Sequence, residues 1–287
     1  MNNFLYFTPT KVVFGKDTES QAGALIKEQK GTKVLVHYGT GSVKRSGLLD
    51  RVYAALDEAG IAYVSLGGAV PNPRLSLVYE GIELCKKESV DFILAVGGGS
   101  AIDSAKAIGY GVKYDGDVWD LYLKKEPPKD MLPLGVILTI AATGSEMSNS
   151  SVITNEEGWL KRGLNSDLSR PRFAILNPEL TYTLPEYQTM SGCTDILMHT
   201  MERYFSHEMD TDLVDGMAES LLRSVMRAAK VLLKDPKNYN ARAEVLWAGS
   251  LSHNGLTGCG RTGDWACHQL EHELGGRFDV AHGAGLA

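Results

Sequence analysis

The chain has 287 residues, of which 44% are hydrophobic and 22% charged, and its formal net charge at pH 7 is −6. This composition suits a globular protein of two domains, and the acidic balance argues against a nucleic-acid partner. No apolar run approaches the length of a membrane span, so we expect no membrane partner. We also expect no signal peptide and, because the four cysteines form no CxxC pair, no disulfide framework; the predicted location is cytoplasmic.

The first 180 or so residues alternate between short β-branched runs and segments with helical spacing. The predicted strands are Lys33–His37, Ala62–Leu66, Phe92–Val96, Leu134–Leu138 and Phe173–Asn177. Helical spacing between them predicts helices over Gly47–Ala59, Leu75–Glu88 and Ser100–Tyr110. This alternation predicts an α/β domain with a doubly wound parallel sheet, which binds ligands at the C-terminal ends of its strands.

The pattern changes after Pro185, where no good strand candidate remains. The segment Leu213–Leu233 carries apolar residues at helical intervals and stops at Asp235-Pro236. The sequence therefore predicts a dinucleotide-binding α/β domain over residues 1–184 and a helical metal-binding domain over residues 185–287.

Two stretches of small residues follow predicted strands in the first domain. Residues 97–100 (GGGS) allow the backbone to come close to a ligand, and the bare N–H groups of the helix that follows point at an anion such as a pyrophosphate. The spacing is not GxGxxG, so an ordinary tight turn fits this stretch about as well. Residues 139–148 (TIAATGSEMS) suit hydrogen bonds to sugar hydroxyls and phosphate, although an ordinary helix cap explains them better on their own.

A third turn bears on the choice of nucleotide. NAD-binding sites commonly have an acidic residue at the end of such a strand, and none stands here. Gly39, Thr40 and Ser42 leave room for a 2′-phosphate, to which Lys44 or Arg45 would add positive charge, and this favours NADP. An exposed turn before a basic helix is nearly as good an explanation.

Acidic and imidazole side chains recur at helical spacing in the second half of the chain. Asp195 and His199 are four residues apart, as are His268 and His272, so each pair shares one helix face. A carboxylate with neutral imidazoles suits Fe(II), Zn(II), Mn(II) or Ni(II). A single histidine more often satisfies a local hydrogen bond, but two such pairs favour a metal site. The spacing leaves open whether His272 or His282 completes it.

Five sequence motifs of the chain, and the order in which they occur, are typical of one family. They are GGGSAIDSAKAI (97–108), TIAATGSEMS (139–148), NPELTYTLP (177–185), GCTDILMHTMERYF (192–205) and DWACHQLEHELGG (264–276), followed by AHGAGLA. In these segments the chain closely resembles the iron-containing (group III) alcohol dehydrogenases, and within them the branch of butanol dehydrogenases and NADPH-dependent aldehyde reductases. The resemblance implies a Rossmann-like N-terminal domain, an all-α C-terminal domain, a dehydroquinate synthase-like architecture and an active site between the two. Because chains of that family continue well beyond the last metal histidine, we expect the helical domain here to be truncated.

The resemblance also implies the site residues. It gives Asp195, His199, His268 and His282 as ligands of one divalent metal, Fe²⁺ first and Zn²⁺ second, and places His272 next to the metal. We expect His272 to be catalytic and to relay a proton, although it could instead only orient a ligand. The implied cofactor contacts are Gly39, Thr40, Ser42, Asn72, Gly98, Gly99, Ser100, Asp103, Thr139, Thr143, Ser145, Ser148 and Lys161. Gly39 stands where NAD-preferring members have an aspartate, so NADP(H) is expected ahead of NAD(H).

The implied activity is hydride transfer between the nicotinamide and small primary alcohols or aldehydes such as butanol and butanal, with the metal as Lewis acid. The family further suggests a homodimer paired near Phe4–Phe7. Two alternatives remain: a zinc metallohydrolase, since residues 268–272 fit HxxEH with Glu271 as the base, and a non-catalytic nucleotide-binding fragment.

Overall fold

The computed structural model describes residues 1–287 as eight strands and eleven α-helices. The strands are β1 (Lys11–Phe14), β2 (Lys33–Gly39), β3 (Ala62–Ala69), β4 (Phe92–Gly97), β5 (Leu134–Leu138), β6 (Ser150–Asn155), β7 (Leu160–Asn165) and β8 (Phe173–Leu176). The helices are α1 (Ala22–Glu28), α2 (Ser42–Arg45), α3 (Leu48–Glu58), α4 (Leu75–Glu88), α5 (Gly99–Lys113), α6 (Val118–Tyr122), α7 (Glu186–Tyr204), α8 (Asp212–Leu232), α9 (Tyr239–His253), α10 (Ala266–Phe278) and α11 (His282–Gly285).

Six strands form one parallel sheet in the order β1-β8-β5-β4-β2-β3. Every residue of β4 and of β5 is buried, because both faces of these central strands are covered. Alternate residues of β4 belong to separate apolar clusters, with Leu94 on the α1 and α3 side and Ile93 on the α4 and α5 side. The predicted doubly wound sheet and its five strands are confirmed.

The prediction missed one strand of the sheet and a separate hairpin. β1 has only four residues and lies at the sheet edge against β8, where Lys11 and Phe14 are exposed, so its apolar signal is weak. β6 and β7 pair antiparallel in a two-stranded sheet of their own. The hairpin packs between α5 and α10, and its polar residues do not alternate cleanly with apolar ones.

The chain after β8 contains helices only, as predicted. α8 (Asp212–Leu232) matches the predicted segment to within one residue at each end. α7 packs against α8, α9 and α11, while α10 reaches back to β7. The division at residues 184 and 185 stays a prediction. None of the helices has both the length and the apolar character needed to cross a membrane.

Candidate metal centre and nucleotide cleft

Three helices bring one carboxylate and three imidazoles together. Asp195 and His199 lie one turn apart on α7, His268 lies on α10, and His282 begins α11. One candidate ligand atom from each lies within 4.8 Å of all the others. Asp195 Oδ1 is 3.2 Å from His199 Nδ1. The same oxygen is 3.6 Å from Nε2 of both His268 and His282.

The atoms that face one another in this cluster have no other partners. Both carboxylate oxygens of Asp195, Nδ1 of His199 and Nε2 of His268 are buried and form no hydrogen bond. Buried polar atoms are normally satisfied, and a buried carboxylate without a counter-charge is especially costly. One oxygen and three nitrogen donors directed at one point satisfy the preferences of a divalent transition metal. The residues present therefore fit such an ion.

Two glutamates hold the outer nitrogens of these imidazoles. Glu202 accepts a hydrogen bond from His268 Nδ1, and Glu271 accepts one from His282 Nδ1. Such carboxylates fix the ring orientation and direct the opposite nitrogen at the metal. Burial alone would lower the pKa of His268, but Asp195 and Glu202 raise it to about 9. The sequence prediction missed Glu202, although its place two helical turns after Asp195 puts both on one face of α7.

Glu271 is also bound by Lys161 of β7, whose Nζ lies 3.0 Å from Glu271 Oε2. Both side chains are buried, and burial lowers the pKa of Lys161. Lys161, which the resemblance placed at the cofactor, thus has its ammonium paired with a carboxylate. Because Glu271 is occupied by Lys161 and His282, it is not a free base, and the metallohydrolase alternative is not supported.

Asn72 lies at the same junction between the two halves of the chain. Its backbone is left-handed, with φ of 54°, and its side-chain Nδ2 donates to Asp279 Oδ1 and Val280 O, each at 3.0 Å. Asn72 therefore fastens the loop between β3 and α4 to the segment that connects α10 with α11.

His272 lies beside the four-residue cluster rather than in it. Its ring centroid is 5.8 Å from that of His282, and it forms a second group with Glu271 and His282. Burial lowers the pKa of His272 to about 3, so its imidazole is neutral. The structure brings His282, not His272, to Asp195.

The two small-residue stretches predicted to bind the nucleotide come together at the start of α5. Gly98 precedes the helix, and no side chain caps the first turn, so its backbone N–H groups are free to bind an anion. A Cβ on Gly98 would lie 2.1 Å from Ile140 Cγ2, and one on Gly99 would lie 2.5 Å from Thr143 Oγ1. Glycine is therefore required for the close approach of this turn to residues 139–148.

Several other predicted cofactor residues are bound to each other. Asp103 accepts hydrogen bonds from Ser145 Oγ at 2.5 Å and from the backbone N of Val152 at 2.9 Å, and burial raises its pKa. The hydroxyls of Ser145 and Ser148 lie within 2.9 and 3.4 Å of Lys106 Nζ. Lys106 is fully buried and was not singled out by the sequence, which gave only its helical spacing from Asp103.

The remaining predicted contacts lie along the same edge of the sheet. Gly39 ends β2, and Thr40 and Ser42 are exposed just beyond it. Ser100 and Thr139 are partly buried, and Thr139 donates its backbone N–H to Gly97 O at 3.0 Å. This edge is the C-terminal end of the parallel strands, where ligands of such sheets bind.

Comparison with known proteins agrees with this arrangement. The family model described as iron-containing alcohol dehydrogenase matches residues 9–178, and the model for the C-terminal part of that family matches residues 189–287. The chain belongs to the iron-containing alcohol dehydrogenase family. The predicted family, its fold and a metal-dependent oxidoreductase that uses a nicotinamide dinucleotide are thereby confirmed.

Individual relatives of the family are similar over the whole chain. The probable NADH-dependent butanol dehydrogenase 1 of Bacillus subtilis is 47% identical over 287 residues, which cover 100% of this chain and 74% of the relative. The NADPH-dependent aldehyde reductase YqhD of Escherichia coli is 38% identical, with 100% and 74% covered. The crystal structure of NADH-dependent butanol dehydrogenase A from Thermotoga maritima has a TM-score of 0.98 at 42% identity, and the match covers 100% of this chain and 72% of that one.

Proposed function

We propose that the protein interconverts small primary alcohols and aldehydes, such as butanol and butanal, by hydride transfer to or from a nicotinamide dinucleotide. Its metal ligands are Asp195, His199, His268 and His282. The observation that carries the proposal is the convergence of four candidate ligand atoms within 4.8 Å of one another, those of Asp195, His199 and His268 buried without a hydrogen-bond partner, in a family of metal-dependent alcohol dehydrogenases.

The chain's own residues would orient and insulate the reaction. A divalent ion bound at this centre supplies Lewis-acid polarisation of the substrate oxygen. Glu202 and Glu271 hold the imidazoles in place, and the uncapped start of α5 binds the pyrophosphate. His272, which is neutral and next to His282, would accept the proton released by the alcohol, through water, on its free ring nitrogen and give up the proton of its other ring nitrogen to solvent.

The proposal is tested by metal analysis together with turnover. We expect one divalent metal ion per chain, Fe²⁺ ahead of Zn²⁺, and nucleotide-linked oxidation of 1-butanol that disappears in His268→Ala while nucleotide binding persists. Full activity of His268→Ala would contradict the metal site, and a metal-free active protein would contradict the proposed chemistry.

For the nucleotide, we propose that NADP(H) is preferred to NAD(H). Relatives include NADH-dependent and NADPH-dependent enzymes. The proposal is supported by the missing carboxylate at the end of β2 and by Lys44, whose Nζ lies over the Tyr38 ring, 5.2 Å from its centroid, just past the exposed Thr40. Gly39→Asp should shift the preference toward NADH, and a Cβ there meets only Ala69 O, at 3.4 Å. An unchanged preference would mean that this turn does not contact the 2′-phosphate.

We further propose that two copies associate through their N-terminal segments. Phe4–Phe7 are all exposed, Leu5 to 85%, and they precede the edge strand β1, whose outer backbone groups are unpaired within the sheet. Leu5→Asp should convert a dimer to a monomer in light scattering after size-exclusion chromatography. Leu233→Asp, at a site exposed to 50% just past the C-terminal end of α8, is the control. A monomeric wild-type protein would refute the pairing.

A further inference from the structure

His253 lies between the metal cluster and the loop that follows β5. It is the last residue of α9, and its ring centroid is 4.1 Å from that of His199. On its other side is the loop after β5, where a Cβ on Gly144 would lie 2.6 Å from His253 Cβ. Gly144 has φ of +63°, so both its backbone and its missing side chain allow this contact. His253 therefore lines the junction at which a substrate must bind.

Arg203 determines which ring nitrogen of His253 carries the proton. Its NH1 donates to His199 O at 2.7 Å and to Ser252 O at 3.0 Å, and its NH2 lies 3.2 Å from His253 Nδ1. The guanidinium also packs on Trp265, 4.4 Å from the ring centroid. Because a guanidinium only donates, Nδ1 of His253 must accept. His253 is therefore a neutral imidazole with its proton on Nε2.

The Nε2–H donor of His253 has no partner within the protein. The ring's one hydrogen bond is the one from Arg203, and its Nε2 atom is not fully buried. The donor is therefore accessible to a ligand beside the metal cluster. A donor held in one tautomer beside a metal centre is a typical specificity element, because a ligand without an acceptor leaves it unpaired.

We infer that His253 donates its Nε2–H to the substrate and selects alcohols and aldehydes that carry an oxygen on the carbon next to the reacting carbon. The inference rests on the proposed function, because it takes the reacting carbon to lie at the metal centre. The ring of His253 packs on the ring of the metal ligand His199. The Nε2–H of His253 therefore contacts a substituent on the carbon next to the reacting carbon of the substrate.

Two alcohols of equal size test the selection. 1-Butanol and 2-methoxyethanol have the same chain length, and the second has an ether oxygen, which only accepts hydrogen bonds, in place of one methylene. The quantity measured in each variant is kcat/KM for 2-methoxyethanol divided by kcat/KM for 1-butanol. Comparing this ratio between variants cancels the difference in intrinsic reactivity of the two alcohols. Losing one hydrogen bond of this kind should lower the ratio about tenfold.

Two substitutions separate substrate contact from a structural role. His253→Asn places an amide oxygen near the position of Nδ1, which keeps the acceptor for Arg203 but removes the Nε2 donor. His253→Gln places an amide donor near the position of Nε2 and loses the acceptor for Arg203. We expect His253→Asn to lower the ratio about tenfold with metal content and nucleotide affinity unchanged, and His253→Gln to retain most of it. An unchanged ratio in His253→Asn would overturn the inference. So would a lowered ratio that a loss of metal or nucleotide binding explains.

A measurement independent of turnover separates this inference from the proposed function. The measurement is the NMR chemical shift of the imidazole nitrogens in the Zn²⁺-loaded protein near neutral pH. The signals of His253 are assigned by comparison with His253→Asn, and they should show a proton on Nε2. 2-Methoxyethanol should shift the Nε2 signal, and 1-butanol should leave it nearly unchanged. A proton on Nδ1, or equal responses to both alcohols, refutes the donor role even if turnover is normal. Absence of alcohol oxidation would contradict the proposed function, while these shifts still decide the role of His253.

Discussion

Lys106 carries a fully buried ammonium that joins the helix after the glycine turn to the loop that follows β5. Its Nζ donates to the carbonyl oxygens of Ser145, Ser148 and Ser150 at 2.7–3.0 Å. Asp103 and Glu146 raise its pKa and Arg170 lowers it, but burial has the largest effect and brings the pKa to about 8. The candidate nucleotide cleft is therefore held together by one charged side chain that is itself fully buried.

We predict that Lys106→Met lowers the free energy of unfolding by about 3 kcal/mol at neutral pH, because buried carbonyl groups lose their donor. The pKa of Lys106 is depressed from 10.5 to about 8 in the folded protein, so the unfolded chain binds the extra proton between these values. Wild-type stability relative to Lys106→Met should therefore rise with pH across that window. Urea denaturation over a pH series measures this. Lys113→Met, at an exposed lysine of the same helix, is the control, and equal losses in both variants would contradict the prediction.

We predict that Glu202→Gln weakens metal binding about 10–100-fold, because His268 loses the carboxylate that holds its Nδ1. Competition with a chelator measures the affinity. Glu186→Gln, an exposed position at the start of α7, should leave the affinity unchanged. Identical affinities in all three proteins would show that Glu202 does not support the centre.

The sequence alone predicted those residues of the candidate site that lie close together in the chain. Asp195 and His199 share a helix face whatever the rest of the fold does, and so do His268 and His272. The choice of His282 needed the family resemblance, since no spacing links it to Asp195. Glu202 was missed because its partner His268 is 66 residues away in the chain, and such a pairing exists only in the folded protein.

At the scale of elements, the contact between α11 and α7 depends on one missing side chain. A Cβ on Gly283 would lie 2.1 Å from the backbone oxygen of Ser191. The four-residue α11 can therefore lie against α7 only with glycine at this position, and this contact brings the neighbouring His282 to Asp195.

We predict that Gly283→Ala displaces α11 and lowers metal affinity at least tenfold, because a shift of about one ångström removes His282 from the donor set. The matched control is Gly216→Ala, at an exposed position in the second turn of α8, where a Cβ meets nothing within 4 Å. That variant should instead stabilise the protein by about 0.5–1 kcal/mol through helix propensity. Thermal unfolding and metal titration of both variants decide, and normal metal binding by Gly283→Ala would rule out the steric argument.

The strands and helices that could be predicted are those with an uninterrupted run or stripe of buried apolar residues. β4 and β5 are apolar along their whole length because helices cover both faces, and the long α8 has a clear apolar stripe. β1 and the hairpin β6–β7 were missed because their strands are short or half polar. Lys161 on β7 acquires its role from α10, which the sequence alone does not place beside it.

At the scale of the whole molecule, the candidate ligands come from three separate helices. α7, α10 and α11 contribute the four side chains, and α10 also contacts strand β7 of the hairpin. A bound ion would therefore act as a cross-link between separate parts of the fold.

We predict that a divalent ion stabilises the native protein by about 2.7 kcal/mol when its free concentration is 100 times its dissociation constant. Thermal unfolding of the chelator-treated protein, with and without Zn²⁺ or anaerobic Fe²⁺, measures the effect. The increase should vanish in Asp195→Asn and persist in Asp212→Asn, an exposed position at the start of α8. An equal increase in both variants would place the ion elsewhere.

The buried charges around this centre also bear on the valence of the ion it accepts. Asp195, Glu202 and Glu271 bring three negative charges, against which Lys161 and Arg203 bring two positive ones. A doubly charged ion therefore leaves a surplus of one, which a single anionic oxygen cancels. A triply charged ion would leave twice that surplus where little water can screen it. On this charge balance we expect the centre to bind ferrous iron more tightly than ferric iron.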